Sequence, residues 1–334
     1  MAPPPSPLRV AVTGANGFVG RALLADLERA GMPAIALARQ PLSGTAPAAE
    51  WRHSPDLDPG TDPGAWARAF AGADVVVHAA ARVHVMRERA ADPLAAFRRV
   101  NRDGAAAMAR GAAMAGVRRI VLLSTVKVMG ESTTGRAPFR NDDPPAPEDP
   151  YAFSKLEGED ALARLAGDLG FELVVLRPPL VYGPGVGGNM ATLARLVGRG
   201  IWLPLGKASH NRRSMISTAN LSSAIIAALT APAAAGRRLL VSDGADLSTT
   251  DLLCEVAAAM RRPARLVPVP GAALRPLLRA TGRTALWTRL FGDLAVDISD
   301  TTTQLGWRPA VSVAEGMAAM VRAPAPGAAE IRNA

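Results

Sequence analysis

The chain has 334 residues, 49% apolar and 20% charged, with 38 Arg and Lys against 29 Asp and Glu for a net charge of +9. That length and apolar content describe one large folded core or two modest ones and exclude a chain disordered throughout. No apolar run reaches the roughly 20 residues that cross a bilayer, a single cysteine (Cys254) rules out an internal disulfide, and arginines dispersed singly or in pairs argue against a nucleic-acid surface.

Residues 1–7 read as a loose tail. No apolar run follows a basic start, so no secretory signal is expected and the expected location is cytoplasmic. "LRVAVTG" predicts a buried strand and "FVGRALLADLERAG" a helix, with Leu23, Leu24, Leu27 and Ala30 on its core face and Gly31 as its stop. "PAIALAR" is a second strand, a weaker one lies near Trp51, and "ADVVVHAAA" is another. An Ala-rich helix is expected from Asp92 to Gly116. Then come strand "RRIVLLST", a polar Pro-rich loop at 135–150, helix "YAFSKLEGEDALARLAGDLG" and strand "FELVVLRPP". Strands alternating with helices predict an α/β fold with a doubly wound parallel sheet covered on both faces.

After Pro178 the pattern loosens. Gly and Pro cluster in "RPPLVYGPGVGGN". A helix, the loop "LPLGKASHNRRS", the helix "TANLSSAIIAALT" and the strand "RRLLVSDG" follow. The helix "STTDLLCEVAAAM", with Cys254 as buried filler, leads to a short strand "RLVPVP". The expected division is a nucleotide-binding domain at 8–178, with contributions from later segments, and a smaller α/β substrate domain at 179–322. Residues 323–334 read as a second tail.

"VAVTGANGFVG" places Gly14, Gly17 and Gly20 between a strand and a helix. Gly14 permits a tight turn, Gly17 an unobstructed approach for a pyrophosphate, and Gly20 close helix–sheet packing, while the helix N-terminus offers free N–H groups. At the end of the second strand stands Arg39 rather than an acid, which favours NADP(H) over NAD(H) unless Arg39 is simply a solvated strand end. Asp56 is a candidate for the adenine pocket.

The chain has two tyrosines and three lysines, and Tyr151 and Lys155 fall four apart, on one helical face. A phenol is a poor base at neutral pH, and a neighbouring ammonium favours its ionised form. Ser124 and Thr125, at the end of the preceding strand, offer a hydroxyl. Three such side chains can pass a proton to or from a carbinol while its hydride goes to a nicotinamide.

These motifs, with "HAAA" at 78–81, Val100–Asn101, "RPPLVYGPG" and "LGWRP" at 305–309, resemble the extended short-chain dehydrogenase/reductases, the NAD-dependent epimerase/dehydratase group. The resemblance covers residues 8–320. It implies a Rossmann-like domain with a C-terminal nucleotide-sugar domain. It further implies Thr125, Tyr151 and Lys155 as the catalytic set, with Thr125 chosen over Ser124 because it lies five residues before Gly130. Cofactor contacts are implied at Gly14, Asn16, Gly17, Phe18, Val19, Gly20, Arg39, Asp56, Leu57, Ala79, Ala80, Ala81, Asn101, Tyr151 and Lys155. Asn189 and Arg213 resemble contacts to the nucleotide diphosphate, Arg289 is a second candidate arginine, and Ser124 is placed on the substrate side. Lys127 and Arg82 are either substrate-side cations or rim charges. Val126 and Lys127 stand where dehydratases carry Asp-Glu, which disfavours dehydration. The expected activity is oxidoreduction at carbon 4 of a UDP-sugar, as a 4-epimerase or a 4-keto-reductase. NAD(H) or NADP(H) is the cofactor, no metal is expected, and a homodimer pairs through helices 92–116 and 151–170.

Overall fold

The computed structural model describes residues 7–41, 46, 48–83, 91–282 and 284–322. Of the tails expected at 1–7 and 323–334, all but Pro7 lies outside the described residues. The described strands are β1 (Val10–Thr13), β2 (Ala34–Ala38), β3 (Glu50–His53), β4 (Val75–His78), β5 (Arg119–Leu123), β6 (Glu172–Arg177), β7 (Leu180–Tyr182), β8 (Met215–Ser217) and β9 (Arg238–Leu240). Seven form one sheet in the order β3-β2-β1-β4-β5-β6-β9, every neighbouring pair parallel. The chain runs outward from β1 through β2 to β3, then crosses back to β4 on the other side of β1. The crevice at the carboxyl ends of β1 and β4 is therefore the switch point where such sheets bind ligands. β7 and β8 make a separate parallel pair.

The helices are α1 (Phe18–Arg29), α2 (Pro63–Ala69), α3 (Pro93–Arg98), α4 (Ala105–Met114), α5 (Pro150–Leu169), α6 (Gly188–Gly198), α7 (Thr218–Thr230), α8 (Thr249–Ala259), α9 (Gly271–Ala280), α10 (Thr284–Phe291), α11 (Ser299–Leu305) and α12 (Val313–Arg322). Strand alternation sorts the core into two layers. Val10, Val12, Val75 and Val77 face Leu23, Leu24 and Leu27 of α1 and Leu221 and Ile225 of α7. Ala11 and Val76 face Trp66 and Phe70 beside α2, Met108 of α4 and Leu162 of α5. A third cluster, with Tyr182, Leu253, Val256 and Met317, lies in the later part of the chain.

Several expectations need correction. The helix at 92–116 is three pieces, because a π-helical turn at Arg99–Gly104 separates α3 from α4. Ala30 caps α1 in an exposed position rather than joining its core face. Cys254 is exposed: α8 buries Leu252, Leu253, Val256 and Ala257, and position 254 falls on the opposite side of the helix. "RLVPVP" makes only an isolated bridge, Leu203 to Leu266, since its prolines lack the N–H groups a strand ladder needs. β9 lies at the edge of the main sheet and α7 packs on its face, so segments after residue 178 complete the first unit.

Candidate active site

The glycine turn after β1 is built around close backbone approaches. Gly14 has φ +69°, and a Cβ there would stand 2.8 Å from the Ala80 nitrogen, in the turn after β4. A Cβ on Gly20 would stand 2.2 Å from the Gly14 carbonyl oxygen. The Gly17 N–H donates to that same carbonyl at 2.9 Å. Gly17 caps α1 with no side chain, and no acid sits in its first turn. The amides of Phe18, Val19 and Gly20 thus open the helix at its positive end, where a diphosphate binds. Asn16 donates to the Gln40 carbonyl at 3.0 Å, while Arg39 is exposed just past β2. Asp56 is exposed, and Leu57 lies so close to Gly104 that a Cβ there would meet the Leu57 carbonyl carbon at 2.4 Å.

His78 ends β4. Its Nδ1 lies 2.8 Å from the Thr13 hydroxyl at the end of β1, which also accepts from the Ala80 N–H at 3.4 Å. Burial, and then the charge of Lys155, drop the imidazole pKa to about 3, so it is neutral at physiological pH. The next turn, Ala79–Ala81, leads to Arg82, whose backbone is clasped by Asn101. The Asn101 Oδ1 accepts from the Arg82 N–H at 2.9 Å and its Nδ2 donates to the Arg82 carbonyl at 3.0 Å. Asn101 Nδ2 also reaches the Ser154 hydroxyl at 2.9 Å, which donates to the Tyr151 carbonyl at 2.7 Å. The π-helical turn that carries Asn101 comes close to α5: a Cβ on Gly158 would stand 2.4 Å from the Asn101 carbonyl oxygen. π-turns recur at functional sites because they re-aim side chains within a helix.

Asp149 caps α5, accepting from the Ala152 N–H at 2.7 Å, and Pro150 takes the first helical position. Tyr151 and Lys155 follow on one face. The Tyr151 ring stands edge-on to Phe97 with centroids 5.9 Å apart. Burial, and next the Asp149 carboxylate, push its phenol pKa up. Lys155 is buried, and its Nζ donates to the Leu123 carbonyl at 2.8 Å, tying α5 to the end of β5. Burial lowers its pKa to about 8, with Glu159 opposing. Thr125 is in extended backbone two residues beyond Leu123, and its Oγ1 accepts from the Lys127 N–H at 3.3 Å.

Two of the candidate residues are engaged by neighbours here. Ser124 is buried against α5. Its hydroxyl bonds the buried Glu159 carboxylate, which is gripped by Arg177 through bonds of 3.1 and 2.6 Å. Neighbouring residues on an extended chain point to opposite faces, so Ser124 turns toward α5. Lys127 is no open cation: its Nζ contacts Asp149 and Glu131, each at 2.6 Å. Burial lowers its pKa, but those two carboxylates outweigh burial and hold it above the usual lysine range. Arg82 carries its guanidinium 5.5 Å from the Phe97 ring centroid.

In the later part, Arg213 is fixed by backbone bridges to Leu247 and Leu294, and its Nη1 donates to the Gly292 carbonyl at 3.2 Å. Burial lowers its pKa, Glu131 opposes, and the charge of Arg289 adds to the lowering. The fold thus brings Arg213 and Arg289 into one electrostatic neighbourhood. Asn189 is exposed in the first turn of α6. Sequence reasoning missed Glu159 and Gly158, and named His78 only as part of the "HAAA" motif. Glu159 had a signal, because it continues the Tyr151–Lys155 stripe at the next four-residue step.

A helix N-terminus without a cap of its own, opening where the strand order of a parallel sheet reverses, defines a dinucleotide-binding α/β protein. The chain belongs to the NAD dependent epimerase/dehydratase family, whose model matches residues 10–241. It is 44% identical over 242 residues to a UDP-glucose 4-epimerase of Vibrio cholerae, covering 72% of this chain and 74% of that protein. Among solved structures it resembles a UDP-N-acetylglucosamine 4-epimerase from Bacillus cereus, with a TM-score of 0.75, 19% identity and 93% and 97% of the two chains covered. A UDP-glucuronic acid 4-epimerase from Bacillus cereus in complex with NAD aligns with a TM-score of 0.73, 19% identity and coverage of 94% and 96%. At these identities the two structures speak for the fold.

Proposed function

We propose that the chain is a UDP-hexose 4-epimerase working with a retained NAD. The observation that carries this reading is the Tyr151–Lys155 pair, anchored on the Leu123 carbonyl beside Thr125, in a chain 44% identical to a UDP-glucose 4-epimerase. The glycine cradle fits a dinucleotide, since Gly14 and Gly20 leave space that a Cβ would fill. The amides of Phe18, Val19 and Gly20 would hold its diphosphate, and Asn16, Arg39, Asp56 and Leu57 would flank its adenosine. Ala79–Ala81, with Lys155, border its nicotinamide ribose. A bound nicotinamide supplies hydride acceptance and return.

The chain's own residues handle the proton and the geometry. Thr125 hydrogen-bonds the C4 oxygen of the sugar. Tyr151 takes the C4 hydroxyl proton as the ketone forms and gives it back as the ketone is reduced on its other face. Lys155, charged below about pH 8, stabilises the phenolate against the burial that disfavours it. Arg213 and Arg289, with Asn189, hold the nucleotide diphosphate from the 179–322 lobe, because the guanidinium fork matches phosphate oxygens. Asn101 positions rather than reacts: it couples the Arg82 backbone to the helix of Tyr151.

One observation favours a second reading. Arg39, exposed past β2 with no acid in its place, suits an NADP-dependent 4-keto-reductase. Denaturing the purified protein separates the two. Stoichiometric released NAD supports the epimerase, whereas an empty protein that oxidises NADPH only with a UDP-4-keto-sugar supports the reductase. For either reaction, Tyr151→Phe should lower kcat by about 10²-fold or more. Wild-type turnover in that variant would remove Tyr151 from the mechanism.

A homodimer belongs to the same proposal. α4 and α5 lie on one face of the sheet, and Met114, Phe153 and Leu169 are exposed along or beside them. A monomer mass at micromolar concentration would count against it.

A further inference from the structure

The net charge is unevenly placed. Residues 173–292 hold 15 Arg and Lys against 4 Asp and Glu, whereas the rest of the chain holds 23 against 25. Two stretches in that region, 173–242 and 256–292, have no acid at all. Buried or paired arginines such as Arg177 and Arg238 account for part of the excess. Another part is exposed where α6 and α8 end side by side.

There a Cβ on Gly198, the last residue of α6, would stand 3.6 Å from the Met260 sulfur just past α8. Arg262 donates to the Gly198 carbonyl at 2.6 Å and Arg265 to the Gly200 carbonyl at 3.2 Å, each across one of the negative helix ends or the turn beyond it. The chains leaving the two helices then run together, bridged from Leu203 to Leu266. On these loops Trp202 is 64% exposed, Ile201 41% and Val267 39%. The Arg265 guanidinium lies 5.9 Å from the Trp202 ring centroid, and Arg199, Arg261 and Arg262 are exposed nearby in the chain.

We propose that this tip, centred on Trp202 and flanked by Arg199, Arg262 and Arg265, docks the protein on the surface of an anionic lipid bilayer. An exposed tryptophan with aliphatic neighbours settles at headgroup depth, where arginines meet lipid phosphates. No described helix is long and apolar enough to cross a membrane, so the attachment is peripheral. Single-stranded nucleic acid fits less well, because it stacks on a series of open aromatic faces and the Trp202 face carries Arg265. The tip shares no residue with the site assigned to the sugar and the dinucleotide.

The test uses the full chain and vesicles of phosphatidylcholine, alone or mixed with phosphatidylglycerol. Sedimentation should show roughly tenfold or greater preference for the mixed vesicles, declining with added salt. Of the five tryptophans, Trp202 should account for the fluorescence quenching by brominated lipid. Trp202→Ser should abolish the quenching, and Arg262→Ser with Arg265→Ser should reduce binding about tenfold. Melting temperature and sugar-nucleotide turnover should be unchanged in both variants. Equal binding to neutral vesicles, or undiminished binding by the variants, overturns the proposal. So does a single-stranded RNA homopolymer that competes the protein off vesicles while quenching Trp202 itself, which would assign the tip to nucleic acid.

Discussion

The seven-stranded sheet and the lobe after it are held together by different means. In the sheet, parallel backbone ladders and two apolar layers fix every element, and the site it forms is largely backbone: a glycine turn, a helix end and a strand carbonyl. Among the described residues the lobe has a two-stranded pair three residues long and isolated bridges, and buried polar side chains stitch it. Asn220, at the start of the α7 helix that packs on the sheet, ties the lobe to it: it donates to Asp243 and to the Val311 carbonyl, both at 2.7 Å, and accepts from the amides of Ala310 and Val311. Asp243 also accepts from Tyr182 at 2.7 Å, and Asn211 joins Thr249 to the Gly292 carbonyl. A region built from backbone depends little on which side chains it carries, whereas a lobe stitched by side chains depends on each of them.

That contrast can be broken at the lobe first. Asn220→Ala strands several buried groups at once and should cost about 3 kcal/mol. Val121→Ala in the sheet, which only removes methyl groups, should cost about 2 kcal/mol. Calorimetric melting of both variants decides it, and a smaller loss for Asn220→Ala would mean that the stitches are ornamental. The next effect belongs to the backbone-built site. Gly20→Ala pushes a Cβ into the Gly14 carbonyl, a displacement of about 1–3 kcal/mol. It should weaken dinucleotide binding roughly 10- to 100-fold, read by titration calorimetry, with Arg213-side nucleotide binding spared. Loss of both affinities together would dissolve the distinction between the two regions.

A third effect is a pH slope. His78 stays neutral in the fold down to about 3, but an unfolded histidine takes up its proton near 6.5. Between those values the unfolded chain binds more protons, so stability from this group is full above about 6.5 and declines as pH falls toward 3. The slope is at most about 1.4 kcal/mol per pH unit. His78→Gln should flatten the acid limb of a denaturation series in that window. An unchanged limb would mean that the β1–β4 junction does not sense the imidazole.

Legibility from the sequence followed the same division. The main-sheet strands, the glycine turn and the Tyr151–Lys155 face have a period or a fixed spacing, and these were readable. The contacts of Asn220 span 23 and 91 residues and leave no periodic trace. Ser124 and Thr125 are adjacent and chemically alike: the family resemblance singles out Thr125, and the packing of α5 on β5 adds that Glu159 sequesters Ser124. The choice for Lys127 between a substrate-side cation and a rim charge stayed open in the sequence because its partners, Glu131 and Asp149, lie across a turn and a long loop. Cys254 was misjudged because its helix is apolar on more than one side and composition does not say which side meets the core.

The π-helical turn at Arg99–Gly104 also matters to anyone redesigning this protein. A regular helix advances roughly 100° per residue, and a wider turn absorbs one residue with little advance. Phe97 on one side and Met108 on the other are therefore in different angular frames. Winding the same residues into an ordinary helix would swing its first half by about 100°, taking Phe97 off Tyr151 and Asn101 off Ser154. Grafts and deletions in this segment should treat it as two helices joined by a gear tooth.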